Sequence, residues 1–190
     1  MGPLLFVLFI NDLPEHISND TSLELYADDT KIWRTIYSQD DTICLQNDIN
    51  ALNLWASNNL MKFHPNKCKV LIVHNTRQVL YGDEDNPVFS PYFLGDVPLV
   101  SVGLEKDLGV DMTPHLKWEH QINRLCSQAS QRYGLLRRNC FFVKDKRKAR
   151  VLYLTMVRSI FQHCSIIWRP TNKTLNDKVE SIQNKAINWI

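Results

Sequence analysis

Leu23-Glu24-Leu25-Tyr26-Ala27-Asp28-Asp29-Thr30-Lys31-Ile32-Trp33 alternates apolar and polar residues on both sides of an acid pair. Leu23, Leu25 and Ala27 alternate with Glu24, Tyr26 and Asp28, and Thr30 and Ile32 with Lys31 and Trp33, the period-2 signature of a β-hairpin within residues 23–36. The acid pair is therefore expected at the tip. Asp-Asp is not the Asn-Gly or Asp-Gly pair that tight hairpin turns prefer, so turn geometry does not account for it. Carboxylate oxygens are the hard donors that Mg²⁺ takes, and a metal role stands beside the plainer reading of a solvated turn.

The 190 residues, 44% of them hydrophobic, suffice for one ordinary domain or two small ones and exclude a disordered tail. A net charge of +2 conceals an asymmetry: residues 1–116 hold 7 Lys/Arg against 16 Asp/Glu, and residues 117–190 hold 15 against 4. The second part, at +11, either attracts phosphate through counterion release or presents solvated helix faces. The run Lys144-Asp145-Lys146-Arg147-Lys148-Ala149-Arg150 places five cations at a helix start, against the macrodipole, which hints at an external anion. Arg137 and Arg138 extend the patch.

Five scattered cysteines with no Cys-x-x-Cys spacing suggest neither a disulfide framework nor a zinc site, and an intracellular, reducing location, cytoplasm or nucleus, is the default expectation. The apolar run Leu4–Ile10 lacks a basic flank and a cleavage site and is too short to span a bilayer; it is expected to be a buried helix. No membrane partner is expected.

Residues 2–18 read as a helix end broken near Pro14. A helix capped at Asp40-Asp41-Thr42 should carry Leu45, Ile49, Leu52, Ala56 and Leu60 on one face. Lys69–His74 reads as a strand in which Val70–Val73 is buried on both faces. Residues 75–91 read as a loop or insertion, and short strands near 92–94, 99–104 and 107–112 as a small meander eased by Gly103 and Gly109. Three helices follow, with apolar faces Ile122/Leu125/Cys126/Ala129/Tyr133/Leu136, Ala149/Leu152/Tyr153/Met156/Val157/Ile160/Phe161, and Leu175/Val179/Ile182/Ala186/Ile190. The fold class is α+β, with residues 1–116 and 117–190 as its two regions.

Gly2-Pro3-Leu4-Leu5-Phe6, Ile10-Asn11-Asp12-Leu13-Pro14, Tyr26-Ala27-Asp28-Asp29, Met61 to Val70, Asp107-Leu108-Gly109-Val110, and Leu135 to Cys140 occur in that order. The chain so resembles the reverse transcriptase of a non-long-terminal-repeat, jockey-like (LINE-type) retrotransposon. The resemblance implies a partial polymerase palm, with a β-hairpin, a small antiparallel sheet and helices, over residues 1–116, followed by a thumb-like helical bundle over residues 117–190. It implies that Asp28 and Asp29 are catalytic and metal-binding, working with two Mg²⁺ ions, and that Tyr26 and Ala27 shape the primer end. Lys67 or Lys69 would stand near the leaving pyrophosphate, beside the plainer reading of solvated lysines at a strand entry, and Gly109 and Trp118 against the primer strand, beside the plainer reading of Trp118 as a core residue. Arg137, Arg138, Lys146, Arg147, Lys148 and Arg150 would hold nucleic acid. The implied partners are an RNA template, a DNA primer and deoxynucleotide triphosphates. The family's first catalytic aspartate, Gln-Gly-Ser turn and fingers have no match in these residues. The resemblance is therefore to a fragment inactive by itself, with a noncatalytic nucleic-acid-binding module as the alternative.

Overall fold

The computed structural model describes residues 2–74, 91–170 and 172–189, so the expected loop at 75–91 lies, but for Pro91, outside the described residues. Strands and helices come in separate runs, an α+β composition, and the chain forms two compact units, 1–102 and 103–190.

In the first unit α1 (Gly2–Phe9) leads to a 3₁₀ turn at Leu13–His16 entered through Pro14, a break at the expected place. Strands β1 (Ser22–Tyr26) and β2 (Asp29–Trp33) pair antiparallel in the register Leu23↔Ile32 and Leu25↔Thr30. The half-buried side of this hairpin, Leu23, Leu25 and Ile32, packs on a cluster of Ile10, Leu13, Leu52, Trp55 and Ala56. Helix α2 (Gln39–Asn58) supplies the last three of those residues.

The start of α2 is fixed more firmly than its composition suggests. Ser38 is the cap: its hydroxyl accepts from the Asp41 amide while the Asp41 carboxylate accepts from the Ser38 amide at 3.0 Å. Asp40-Asp41-Thr42, expected as the cap, instead forms the first turn. Asp41 also binds the Arg34 guanidinium at 3.2 Å, and Arg34 reaches the hydroxyls of Ser18 and Thr21. Those hydroxyls donate to buried Asp48 further along α2, so the chain entering the hairpin is tied to the helix at both ends. The Tyr37 amide, then the Ser38 hydroxyl and Arg34, hold the Asp41 carboxyl below its ordinary range.

Four expectations fail here. Helix α1, expected to be buried, has no buried residue, and Leu4 is 68% exposed; Phe6 leans on the core, and the Phe9 ring lies 5.9 Å from that of Trp55. Leu60 lies past the end of α2 at positive φ and is exposed, and Trp55 takes the core position instead. The run Val70–Val73 is half-buried or exposed, and its only strand, β3 (Lys69–Val70), pairs parallel with β6 (Val100–Ser101). The expected meander is instead three separate pairings: β3–β6, β4 (Phe93–Leu94) with β5 (Val97–Pro98), and β7 (Glu105–Asp107) with β8 (Val110–Met112). Strands of two or three residues bury too little to extend a sheet, so each pair rests on a helix or on one neighbour.

The second unit opens with the β7–β8 hairpin, whose turn residues Leu108 and Gly109 both have positive φ, as a primed two-residue turn requires. Helix α3 (Glu119–Asn139) buries Ile122, Leu125, Ala129 and Leu136, four of the six residues expected on its face. The next helix is interrupted: α4 (Lys146–Tyr153) and α5 (Ser159–Gln162) are joined by a π segment, Leu154–Arg158. Its buried residues, Ala149, Tyr153, Val157 and Phe161, recur strictly every fourth position. On an α-helix of 3.6 residues per turn, each step of four overshoots by about 40°, and the stripe would drift off the core. The wider π turn takes up the excess and returns Val157 and Phe161 to the same face. Thr155 donates to the Val151 carbonyl at 2.9 Å and Ser159 to that of Thr155 at 2.6 Å, satisfying carbonyls where the ladder is distorted. After α6 (Ser165–Trp168), α7 (Lys173–Ile187) seals the core with Ile182 and Ala186.

The cap predicts a graded loss. Ser38→Ala should lower stability by about 1 kcal/mol. Asp41→Ala should lower it further, because it also strands Arg34. Thermal melts followed by circular dichroism test the ranking; equal losses would mean that Arg34 adds nothing.

Candidate functional site

The hairpin gathers Tyr26, Ala27, Asp28 and Asp29, but not as a simple acid tip. The two turn residues are Ala27 and Asp28, while Asp29 is the first residue of β2 and pairs with Tyr26. Ala27 has φ +53°, the left-handed region that a primed hairpin turn needs at its first position and that glycine would occupy without strain. Residues opposite one another share a face, so Asp29 lies with Tyr26 on the outer side, beside the opposed pair Glu24 and Lys31. All four motif residues are exposed.

Two adjacent carboxylates supply hard oxygen donors suited to Mg²⁺. Among the described residues, however, no three His, Cys, Asp or Glu side chains gather where they could hold a metal ion. The donors present fit one part of a metal site and fall short of what a pair of ions needs.

Lys67 ends a 3₁₀ turn at Pro65–Lys67 and Lys69 begins β3, so the two flank half-buried Cys68, and both are exposed. Burial pushes the Cys68 thiol up. The β3–β6 pair and the β1–β2 hairpin are separate sheets, so among the described residues no ladder joins these lysines to Asp28.

In the second unit Gly109 sits at φ +90° with His163 close by: a Cβ there would lie 3.1 Å from the His163 Nε2. Trp118 precedes α3 and packs partly buried against the helical core. Arg137 and Arg138 end α3, where cations favour the helix dipole. Lys146, Arg147, Lys148 and Arg150 project from α4, whose first turn is capped by Asp145 accepting from the Arg147 amide at 2.9 Å. All six of these cations are exposed, on the two helix ends that one short connection joins.

Sequence reading missed the polar centre beneath this unit's hairpin. Asp111 on β8 is buried, and its Oδ2 accepts from Arg124 Nε at 2.6 Å and lies 3.0 Å from His120 Nδ1. Arg124 also donates to the Gly109 carbonyl at 2.8 Å and to Gln121 Oε1, which in turn accepts from the Asp111 amide at 3.0 Å. Burial pushes the Asp111 carboxyl up, but the bonds from Arg124 and His120 outweigh it and leave the group below its ordinary range. The signal was an acid between apolar residues of a strand, followed by His120, Gln121 and Arg124 on one side of a helix start.

Residues 1–126, which hold the β1–β2 and β7–β8 hairpins and the Asp111 centre, match the family model described as reverse transcriptase (RNA-dependent DNA polymerase). The chain belongs to the reverse transcriptase family. A Drosophila melanogaster relative, "Probable RNA-directed DNA polymerase from transposon BS", is 28% identical over 210 aligned residues, which cover 100% of this chain and 21% of that protein. The chain thus spans about a fifth of the length of the curated relative it matches. No solved structure matches. The family match includes Asp28, Asp29, Lys67, Lys69, Gly109 and Asp111, and stops short of Arg137 and the α4 cations.

The Asp111 cluster generates a pH test. Its folded pKa is depressed, so its stabilisation is complete above the unfolded value near 4 and is lost as pH falls through the folded value. Arg124→Met leaves a buried carboxylate with His120 alone and should cost about 3 kcal/mol near neutral pH. In that variant burial raises the Asp111 pKa, so protonation favours the folded state and the gap to wild type should narrow below about pH 4. Denaturation at pH 7 and pH 3 reads this directly, and a gap that stays constant refutes it.

Proposed function

We propose that the chain is the C-terminal palm and thumb portion of an RNA-directed DNA polymerase from a non-long-terminal-repeat, jockey-like retrotransposon. The observation that carries this reading is the Tyr26-Ala27-Asp28-Asp29 hairpin, exposed at its tip and seated on α2, inside the stretch that matches the family. In the complete enzyme Asp28, held at the turn, would be one ligand for two Mg²⁺ ions that activate a primer 3′-hydroxyl and stabilise the departing pyrophosphate. Asp29, fixed by its pairing with Tyr26, would support that ligand from the strand. Tyr26 and Ala27 would shape the surface that meets the primer end, and Lys67 or Lys69 would neutralise charge on the leaving group. Template RNA, DNA primer and deoxynucleotide triphosphates would be the partners, inside the cell. The 21% share of the relative's length that the chain covers supports the fragment reading, in which these residues alone do not transfer nucleotides.

A second reading is favoured by a separate observation: the exposed cations at the α3 end and on α4 lie beyond the family match. A noncatalytic nucleic-acid-binding module would use that surface alone.

The polymerase reading is tested by joining the chain to the upstream polymerase region of a related element and measuring primer extension on RNA with Mg²⁺. Asp29→Asn should reduce extension by roughly 10–100-fold, as removal of a supporting group does, and Asp28→Asn by more. Equal losses would contradict the division of roles, and template-dependent extension by the unjoined chain, absent in its Asp28→Ala variant, would contradict the fragment reading. For the basic surface, neutralising Lys146, Arg147, Lys148 and Arg150 in the full chain should flatten the salt dependence of duplex binding. The log–log slope should fall by about 0.9 for each phosphate that the variant no longer neutralises. An unchanged slope in a folded variant would mark these residues as a solvated face.

A further inference from the structure

The connection between α3 and α4 has residues that turn geometry does not call for. The Val143 amide donates to the Cys140 carbonyl at 3.1 Å, closing a turn whose two central residues are Phe141 and Phe142. Such positions favour Gly, Pro, Asn, Asp and Ser, each for a backbone reason that phenylalanine does not share. Nor does the core claim these rings: Phe141 is 79% exposed and Phe142 67%. They meet edge to face, centroids 5.8 Å apart and planes at 85°, so they brace each other while the ring faces outside that contact stay open to solvent.

Cations bracket the pair. Arg137 and Arg138 precede it at the α3 end, and Lys144, Lys146, Arg147 and Lys148 follow it within six residues. Between residues 120 and 176 Asp145 is the sole acid, and its carboxylate is engaged in capping α4. None of these cations is drawn into an ion pair among the described residues. An open aromatic face set in uncompensated positive charge matches a ligand that carries regularly spaced anions and flat π-surfaces together.

We propose that the Phe141–Phe142 turn is a stacking platform for an unpaired base, with the flanking cations holding the phosphates on either side, so that this surface takes single-stranded nucleic acid in preference to duplex. The proposal deepens the nucleic-acid reading of the same basic surface and does not depend on the role of Asp28. Duplex bases are already stacked on both faces and could offer the rings nothing but phosphate. An anionic membrane is disfavoured, because the inward residues of α4, Ala149 and Tyr153, are consumed by the core and leave no broad apolar helix face to lie in a bilayer.

The test uses the full chain and three probes: a fluorescein-labelled oligothymidylate, an abasic oligonucleotide of the same length and charge, and vesicles of phosphatidylcholine with phosphatidylserine. The chain should bind the intact strand about tenfold tighter than the abasic one, equivalent to about 1.4 kcal/mol and near the low end for one stacked base. The double variant Phe141→Ala/Phe142→Ala should lose that preference while keeping the salt slope, because phosphate contacts remain. Phe141→Trp/Phe142→Trp should restore it. Both rings lie outside the core, so circular dichroism should be unchanged. Equal binding of intact and abasic strands, or a preference that survives the alanine variant, overturns the platform and leaves the electrostatic surface standing. Binding to vesicles with none to either strand overturns both, yet leaves primer extension by the joined enzyme unaffected.

Discussion

A two-stranded hairpin has no independent stability in water, and everything proposed for Asp28 therefore depends on the buried face of α2. Leu52, Trp55 and Ala56 provide the surface on which Leu23, Leu25 and Ile32 come to rest. Polar contacts then remove the remaining freedom. Asp48 holds Ser18 and Thr21 just before β1, and Asp41 holds Arg34 just after β2, so both strands are tethered to one helix. Without those tethers the hairpin could slide along an apolar surface that offers no directional bonds. With them the turn at Ala27 and Asp28 is carried at the free end of a braced lever. Its left-handed alanine is held there by the pairing of the strands rather than by any preference of its own.

Much of this was legible in the sequence because helices advertise themselves over many turns. The stripes on α2, α3 and α7 recur often enough that one misplaced residue does not spoil the pattern, and Ile49, Ile122 and Ile182 are buried as expected. The hairpin was legible for the same reason at half the period. Its tip was not, because alternation says which side a residue faces and is silent on where the chain turns; moving the turn from Asp28-Asp29 to Ala27-Asp28 alters neither apolar strand face. The short strands fell near their expected places but did not pair or bury as expected. Val70–Val73 has the composition of a central strand, but just two residues of β3 pair, with Val100 and Ser101, and Val102 adds one bond to the Val70 carbonyl; so short a ladder cannot bury a strand on both faces.

The helix α1 shows the complementary failure. Gly2 to Phe9 is apolar on every side, a pattern that reads as a fully buried helix. Periodicity has no information about which side meets a neighbour when every side would serve. Phe6 and the following Ile10 take the contact that the 3₁₀ turn and α2 offer, and Leu4, Leu5, Val7 and Leu8 remain in solvent. Hydrophobic composition states what burial would be worth, whereas burial itself requires a partner surface.

The Asp111 centre was hidden for an electrostatic reason. Buried charge is rare enough that an acid in a strand is read as facing water, yet Asp111 is only 5% exposed because Arg124 and His120 come from the next helix to meet it. The same guanidinium holds the carbonyl of Gly109 in the hairpin turn, while His163 Nε2 lies 2.9 Å from the neighbouring Leu108 carbonyl. Both turn carbonyls are thereby engaged, and a left-handed Leu108 is held in place by bonds from elements more than ten residues away. The family match reaches to residue 126 and so includes Asp111, His120 and Arg124 together. A glycine that sequence reading assigns to a nucleic-acid contact is, in this fold, also the point at which a buried ion pair and a helix turn converge. Substituting it would disturb the hairpin whatever it touches outside the chain.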